Sequence, residues 1–276
     1  MNKKMSAKGG SASGGKTILI TGARGGIGRD TAVSLAQRGY RVIATVHREE
    51  SIEELKAYAK EHNVNFDVFR LDITNPDDRK KIDELDLDVL INNAGIGESG
   101  SLAEIPLTRV RSNFETNVFG TLELTQMALK KMLRKNSGRV IFISSIAGRI
   151  TIPFWGSYNM TKFSLSAAAD VLRQELRQIT KNVFVSVVEP GTYHTGFNQK
   201  VMLTKYEWLD DKSYFFKIIK TIRRRETRMF ELLELKSNKS IVKKIVKAVE
   251  AKKPGLRYTA PWWQAFFVQI IRILGK

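Results

Sequence analysis

Short apolar runs alternate with segments of helical spacing along most of this 276-residue chain. The apolar runs at 16–20, 41–46, 66–71, 88–91, 139–144 and 183–188 are typical of strands buried on both faces. Helices are predicted between them, at 29–38, 51–61, 76–85, 107–135 and 157–180, and a further one near 241–249. This alternation predicts the α/β class with a doubly wound parallel sheet, in which ligands bind beyond the carboxyl ends of the strands.

The first strand runs directly into a glycine-rich turn, Thr21-Gly22-Ala23-Arg24-Gly25-Gly26-Ile27-Gly28, and a helix follows. Glycines permit a tight turn and a close approach of the backbone, and the free N–H groups of a helix N-terminus attract a pyrophosphate. A plain tight turn is the alternative, but the strand before it and the helix after it favour a dinucleotide site. The turn therefore predicts a Rossmann-type fold, with the spacing GxxxGxG in place of GxGxxG.

A serine, a tyrosine and a lysine form the clearest catalytic pattern. Ser145 precedes Tyr158 by thirteen positions, and Lys162 follows the tyrosine by four. Residues i and i+4 share one face of a helix, so the lysine ammonium would lie beside the phenol. We expect that charge to lower the pKa of Tyr158 and make it a general acid or base, with Ser145 holding the reacting oxygen.

Other polar or glycine-rich motifs also follow predicted strands. Asp72 ends the third strand, Asn92-Asn93-Ala94-Gly95 follows the fourth, and Pro190-Gly191 follows the sixth. Carboxyl ends of parallel strands meet at one edge of the sheet, which predicts that these motifs form one site.

Taken together, these motifs resemble the short-chain dehydrogenase/reductase family, in particular its hydroxysteroid and retinol dehydrogenase-like members. The resemblance covers residues 16–260 and includes Asn117 in the run TNVFG and Thr195 after Pro190-Gly191. It implies that a catalytic tetrad of Asn117, Ser145, Tyr158 and Lys162 acts with a nicotinamide cofactor. The residues that it implies for cofactor binding are Gly22, Arg24, Gly26, Ile27, Gly28, Arg48, Asp72, Ile73, Asn93, Ala94, Gly95, Tyr158, Lys162, Pro190, Gly191 and Thr195.

The activity implied is NAD(P)-dependent interconversion of a carbonyl and an alcohol. Tyr158 would exchange the proton, Ser145 would bind the substrate oxygen, and Lys162 would bind the nicotinamide ribose, while Asn117 would hold a water that links the lysine to solvent. Two other possibilities stay open on the same fold: a non-catalytic, cofactor-sensing binding protein, and an epimerase- or dehydratase-type enzyme.

Two arginines favour NADP over NAD. Relatives that prefer NAD carry an acidic residue at the end of the second strand, whereas this chain has Thr45-Val46-His47-Arg48 there. Arg24 and Arg48 could both face a 2′-phosphate, which guanidinium groups bind in a bidentate manner. We therefore expect NADP as the cofactor, with NAD as the alternative.

Composition excludes several other classes. The chain has no cysteine, so disulfides and thiolate catalysis are absent, and its three histidines lack metal-ligand spacing, so we expect no metal site. Residues 1–15 are polar and glycine-rich and read as a disordered extension, not a signal peptide. The net charge is +18, but no nucleic-acid motif accompanies it, so a solvated basic face or attraction to an anionic membrane is favoured over nucleic acid.

The last third of the chain contains residues that indicate the class of substrate. Residues 196–235, which we call the lid segment, are rich in large apolar residues, namely Phe197, Met202, Tyr206, Trp208, Phe215 and Phe216. Phe215, Ile218, Ile219 and Ile222 share one face of a predicted helix. These residues predict a pocket wall that suits an apolar alcohol or ketone, such as a steroid, retinoid or lipid, and a small polar ketone is the alternative.

Residues 261–276 are predicted to form an apolar C-terminal helix, in which Gln264, Gln269 and Arg272 fall within one arc and leave a broad apolar face. Such a face must pack on the body, on a second subunit or at a bilayer interface. No apolar run reaches the length of a membrane-spanning helix. We expect a cytoplasmic homo-oligomer with a single domain over 16–260, in which the apolar face of 262–274 packs on protein, with peripheral contact with a membrane as the alternative.

Overall fold

The computed structural model describes residues 15–275, and the predicted extension at 1–15 lies almost wholly outside them. Seven strands form one parallel sheet in the order β3-β2-β1-β4-β5-β6-β7. Their bounds are β1 Thr17–Ile20, β2 Arg41–Val46, β3 Asp67–Arg70, β4 Val89–Asn92, β5 Gly138–Ile143, β6 Val183–Pro190 and β7 Arg257–Ala260. The prediction of a doubly wound parallel sheet is confirmed.

Ten α-helices surround the sheet within residues 15–275. They are α1 Gly26–Ala36, α2 Ser51–Glu61, α3 Pro76–Lys80, α4 Leu107–Phe114, α5 Thr121–Arg134, α6 Gly156–Ile179, α7 Phe197–Thr204, α8 Ile219–Leu233, α9 Lys239–Glu250 and α10 Trp262–Ile273. Among the described residues, none of the helices is both long and apolar enough to cross a bilayer.

Alternate residues of each strand enter different cores, because successive side chains of a strand point to opposite faces. Ile18 and Ile20 of β1 pack on the face covered by α1, α2 and α9, whereas Leu19 packs on the face covered by α5 and α6. Both faces of the sheet are thus buried, which explains why the strands read as continuous apolar runs.

The predicted helix at 107–135 is wrong as a single element. It is divided into α4, a π-helical turn over Glu115–Gly120, and α5. Gly120 lies so close to Ile73 that a β-carbon at this position would be 2.4 Å from the Ile73 carbonyl oxygen. The π-helical turn thus places Gly120 against the loop that follows β3.

The strand β7 was not predicted from the sequence, because it is four residues long and lies between Pro254-Gly255 and Pro261. It extends the sheet beside β6 and brings α10 to the carboxyl end of that strand. The predicted helical face of Phe215, Ile218, Ile219 and Ile222 is also wrong in part, because the α-helix begins only at Ile219 and Ile218 is exposed.

Candidate active site

Tyr158, Lys162 and Ser145 lie together at the carboxyl end of β5. Tyr158 and Lys162 are one turn apart near the start of α6, and the lysine Nζ is 5.5 Å from the centre of the phenol ring. Ser145 lies just beyond β5, close enough to the Tyr158 hydroxyl to affect its pKa. Tyr158 and Lys162 are both buried, and all three side chains line one cleft.

Burial shifts the pKa values of Tyr158 and Lys162 in opposite directions, and in both cases it favours the neutral form of the side chain. It raises the pKa of Tyr158 above that of a free phenol, although the neighbouring Ser145 hydroxyl opposes the shift. It lowers the pKa of Lys162 to about 8. The expectation that Lys162 lowers the pKa of Tyr158 is therefore wrong for this geometry, because the lysine is itself desolvated and its ammonium donates to the Ile143 carbonyl at 2.9 Å.

Asn117 lies behind this group, in the π-helical turn. Its Oδ1 accepts from the Ile96 N–H at 2.8 Å, and its Nδ2 donates to the Ile96 carbonyl at 2.8 Å and to the Thr161 hydroxyl at 3.0 Å. A β-carbon on Gly95 would be 3.2 Å from Asn117 Oδ1 and 3.7 Å from Lys162 Nζ. The four predicted catalytic residues are thus brought together, with Asn117 fixing the loop after β4 against α6.

The glycine-rich turn lies next to this loop. Gly22 has a φ of +66°, and a β-carbon there would be 2.7 Å from the Ala94 Cα. At Gly28, a β-carbon would be 2.4 Å from Asn93 Nδ2. The N-terminus of α1 follows directly and is capped by no side chain. A dinucleotide fits this arrangement, because the turn admits its backbone closely and the helix offers free N–H groups to a pyrophosphate.

A cleft of about 1260 Å³ runs along the carboxyl edge of the sheet and joins the glycine-rich turn to Tyr158. Every residue predicted for cofactor binding lines it: Gly22, Arg24, Gly26, Ile27, Gly28, Arg48, Asp72, Ile73, Asn93, Ala94, Gly95, Tyr158, Lys162, Pro190, Gly191 and Thr195. Ser145 lines the cleft as well, whereas Asn117 supports its wall from behind.

Some residues of the site were not singled out from the sequence. The Thr21 hydroxyl accepts from the N–H groups of Asn93 and Ala94 at 3.0 and 2.9 Å, and so fixes the loop after β4 to the glycine-rich turn. Because Thr21 follows β1 directly, its position at the carboxyl edge of the sheet could have indicated this role. His47 also lines the cleft, 3.6 Å from an oxygen of Asp72, and only its position after β2 could have indicated it.

The two arginines that favour a 2′-phosphate lie in the same part of the cleft and are both exposed. Arg24 is 3.5 Å from a carboxylate oxygen of Glu54 on α2. The pairing is exposed and therefore weak, so it leaves Arg24 free to turn towards an anion. Arg48 follows β2 directly.

The lid segment packs against Tyr158, but most of the large apolar residues that were predicted to form the pocket wall lie elsewhere. The Phe197 ring lies 5.6 Å from that of Tyr158 and lines the cleft. Met202 is buried in the cluster around Tyr158, and Trp208 packs on Gly100. Phe215 lies against Phe154, in a separate apolar cavity of about 590 Å³. Of the predicted wall, only Phe197 reaches the large cleft.

A buried ion pair fixes the lid segment to this cluster. Lys205 is fully buried, and its Nζ is 2.7 Å from a carboxylate oxygen of Glu226 on α8. The same ammonium donates to the Met202 carbonyl at 2.9 Å, and the Trp155 indole N–H donates to Glu226 at 3.3 Å. Trp155 packs edge-on against Tyr158, 5.9 Å away. The pair thus supports the Tyr158 ring from behind, through Trp155.

A parallel sheet whose carboxyl edge brings together a glycine-rich turn and a Ser-Tyr-Lys group is typical of nicotinamide-dependent oxidoreductases. A sequence profile of the short chain dehydrogenase family matches residues 16–205. The chain belongs to that family and is an NAD(P)-dependent oxidoreductase.

Several known proteins are similar to it. 17-beta-hydroxysteroid dehydrogenase type 6 of Rattus norvegicus is 30% identical, over 92% of this chain and 84% of that protein. Retinol dehydrogenase 8 of Bos taurus is 30% identical, over 88% of this chain and 80% of that protein. A short-chain dehydrogenase/reductase from Burkholderia phymatum, solved in complex with NAD, has a TM-score of 0.79 at 20% identity, covering 94% of this chain and 93% of that one.

The pKa of Lys162 predicts how cofactor affinity depends on pH. The ammonium is charged below about pH 8 and neutral above it. If the charged form binds the cofactor, affinity is constant below that pH and falls by up to about tenfold per pH unit above it. Fluorescence titration with NADPH between pH 6.5 and pH 9.5 measures this, and we expect Lys162→Met to bind weakly at every pH. An affinity of the unaltered protein that stays constant across pH 8 would contradict the prediction.

Proposed function

We propose that this protein interconverts a carbonyl and an alcohol, and that Ser145, Tyr158, Lys162 and Asn117 carry the reaction. The observation that carries the proposal is that Ser145, Tyr158 and Lys162 line the same cleft as the glycine-rich turn. A bound nicotinamide cofactor supplies or accepts the hydride.

Each residue has a separate task. Ser145 donates a hydrogen bond to the substrate oxygen and fixes its position. Tyr158, whose raised pKa keeps it protonated near neutral pH, donates its proton to that oxygen during reduction and takes a proton back during oxidation. Lys162 holds the cofactor ribose, and Asn117 keeps the Ile96 loop in place against α6. Family membership favours this enzymatic function over a non-catalytic sensor.

Replacing Tyr158 by phenylalanine tests the chemistry. We expect Tyr158→Phe to lower kcat by about 10² to 10⁴, because the proton donor is lost. Cofactor affinity should change little. The matched control is Tyr193→Phe, since Tyr193 also lines the cleft but its hydroxyl bonds only to Ser240. Retention of most activity in Tyr158→Phe would exclude Tyr158 as the proton donor. Net oxidation of NADPH, followed at 340 nm, distinguishes a reductase from an epimerase or dehydratase, which would recycle the cofactor.

The preferred cofactor in this proposal is NADP. Arg24 and Arg48 are exposed cations on the cleft, and no acidic residue follows β2 before Glu49. A guanidinium binds a phosphate through two charge-assisted hydrogen bonds. His47, Asp72 and Glu54 also line the cleft, and a carboxylate there could also receive a ribose hydroxyl.

Arg48→Ala tests the preference for NADP. We expect it to weaken NADPH binding by about ten- to a hundredfold, the value of one charge-assisted contact, and to change NADH binding little. Arg29→Ala is the control, because Arg29 also lines the cleft but stacks on the Tyr58 ring. Dissociation constants for both nucleotides measure the effect. Tighter binding of NADH than NADPH by the unaltered protein would refute the preference.

The substrate class in this proposal is an apolar alcohol or ketone, such as a steroid, retinoid or long-chain lipid. The Phe197 ring is next to Tyr158, and Val201, Met202 and Phe230 pack in the same cluster. The names of the two relatives, a hydroxysteroid and a retinol dehydrogenase, support the same class. A small polar ketone is the alternative.

A panel of carbonyls tests the substrate class. We expect NADPH oxidation with a ketosteroid, retinal or a long-chain keto-lipid at a higher kcat/KM than with a small sugar-like carbonyl. Phe197→Ala should lower kcat/KM for the apolar substrates by about tenfold, because it removes apolar contact area, and should spare the small ones. Phe216→Ala is the control, since Phe216 is half exposed and does not line the cleft. Turnover of the small polar carbonyls alone would favour the alternative.

The proposed function also concerns the oligomeric state of the protein and its place in the cell. We propose that the protein works as a homo-oligomer in the cytoplasm and meets its apolar substrate at a membrane surface. Exposed apolar residues on α4, α6 and α10 offer surfaces for such contacts. Nucleic acid is not part of the proposal.

A further inference from the structure

The C-terminal helix α10 is attached to the protein through its polar side. Gln264 is 4% exposed. Its Oε1 accepts from the Thr192 N–H, and its Nε2 donates to the Thr192 hydroxyl and the Leu233 carbonyl, each at 2.8 Å. Gln269 accepts from Arg149 at 2.8 Å, and Val268 is the buried apolar contact. The helix α10 is therefore attached to the rest of the protein through its two glutamines, and most of its apolar side stays exposed to solvent.

The opposite side of α10 is apolar and exposed. Five side chains, which we call the α10 apolar face, are between 60% and 78% exposed: Trp262, Phe266, Phe267, Ile273 and Leu274. Trp263 and Ile270 add to it at lower exposure. A soluble surface rarely presents so many large apolar side chains on one helix without a partner that covers them.

The charge of the chain favours an anionic partner. The net charge is +18, and residues 251–276 contain no acidic residue and five basic ones, of which Arg257 is already paired with Glu189: Lys252, Lys253, Arg257, Arg272 and Lys276. Anionic phospholipid attracts such a segment, and tryptophans at one end of an apolar helix are typical of the bilayer interface. A second copy of this chain carries the same positive charge, so the α10 apolar face suits an anionic bilayer better than a copy, and α4 and α6 remain the surfaces for the proposed homo-oligomer.

We propose that the α10 apolar face docks on an anionic phospholipid bilayer, with the helix lying in the plane of the interface. The inference rests on the proposed function in one respect, which is that an apolar substrate dissolves in the bilayer that the face contacts. Gln264 bonds to the backbone of Thr192, next to the cleft residue Gly191, so docking would place the cofactor cleft close to the lipid surface.

Vesicle sedimentation with the full chain tests the proposal. Phosphatidylcholine vesicles with and without phosphatidylserine are compared at low and high salt. We expect binding to the anionic vesicles, weakened by salt, and a blue shift of tryptophan fluorescence as Trp262 and Trp263 enter the interface. The double variant Phe266→Gln with Phe267→Gln should bind at least about tenfold more weakly, because two large apolar groups no longer enter the bilayer.

The matched control is Leu107→Gln with Ile179→Gln, which changes two equally exposed apolar residues on α4 and α6. We expect this control to bind vesicles like the unaltered protein. Absence of vesicle binding at low salt, or equal binding by both double variants, would overturn the proposal. So would a change of the Phe266/Phe267 variant from a dimer to a monomer in light scattering, since a second copy would then cover the face.

Vesicle binding and carbonyl turnover can be measured independently of each other. Turnover of a water-soluble carbonyl by the Phe266/Phe267 variant should equal that of the unaltered protein, since neither residue lines the cleft. Vesicle binding without any carbonyl turnover would contradict the proposed function and leave the docking surface standing.

Discussion

The site depends on how closely the loops after β1 and β4 approach each other. Gly22 and Gly28 lack a β-carbon where one would collide with Ala94 and Asn93, and the Thr21 hydroxyl joins the two loops by two hydrogen bonds. This approach fixes the N-terminus of α1. Through Gly95 and Asn117 it also fixes the turn that faces Lys162. A side chain larger than hydrogen at Gly22 would separate the phosphate-binding and catalytic halves of the cleft.

The elements that determine the fold could be predicted because each has a strong local signal. The bounds of β2 and α2 are those expected from the apolar runs and the helical spacing, and those of α6 differ by one residue at each end. The residues around the cleft could be placed together because carboxyl ends of parallel strands share one edge. Their chemical roles rest on the resemblance to the family and on the variants proposed above.

What could not be predicted depends on contacts between distant segments. The π-helical turn in the 107–135 stretch reflects the approach of Gly120 to Ile73, which no local pattern contains. The raised pKa of Tyr158 follows from the depth of burial, whereas sequence spacing shows only that a lysine is near. Helical periodicity divided α10 into a polar and an apolar side, but could not tell which side the protein would cover.

The buried pair of Lys205 and Glu226 has a mechanical consequence for the lid segment. Separating the two would leave a charge without a partner in a medium of low dielectric constant, which is far more costly than breaking an exposed pair. The pair joins the end of α7 to the middle of α8, so both helices stay seated on Trp155. The chain between the two helices has an anchor of its own, because the Ser213 hydroxyl and the Tyr214 N–H both donate to Glu104. The lid segment is therefore tied to the body at two separate places.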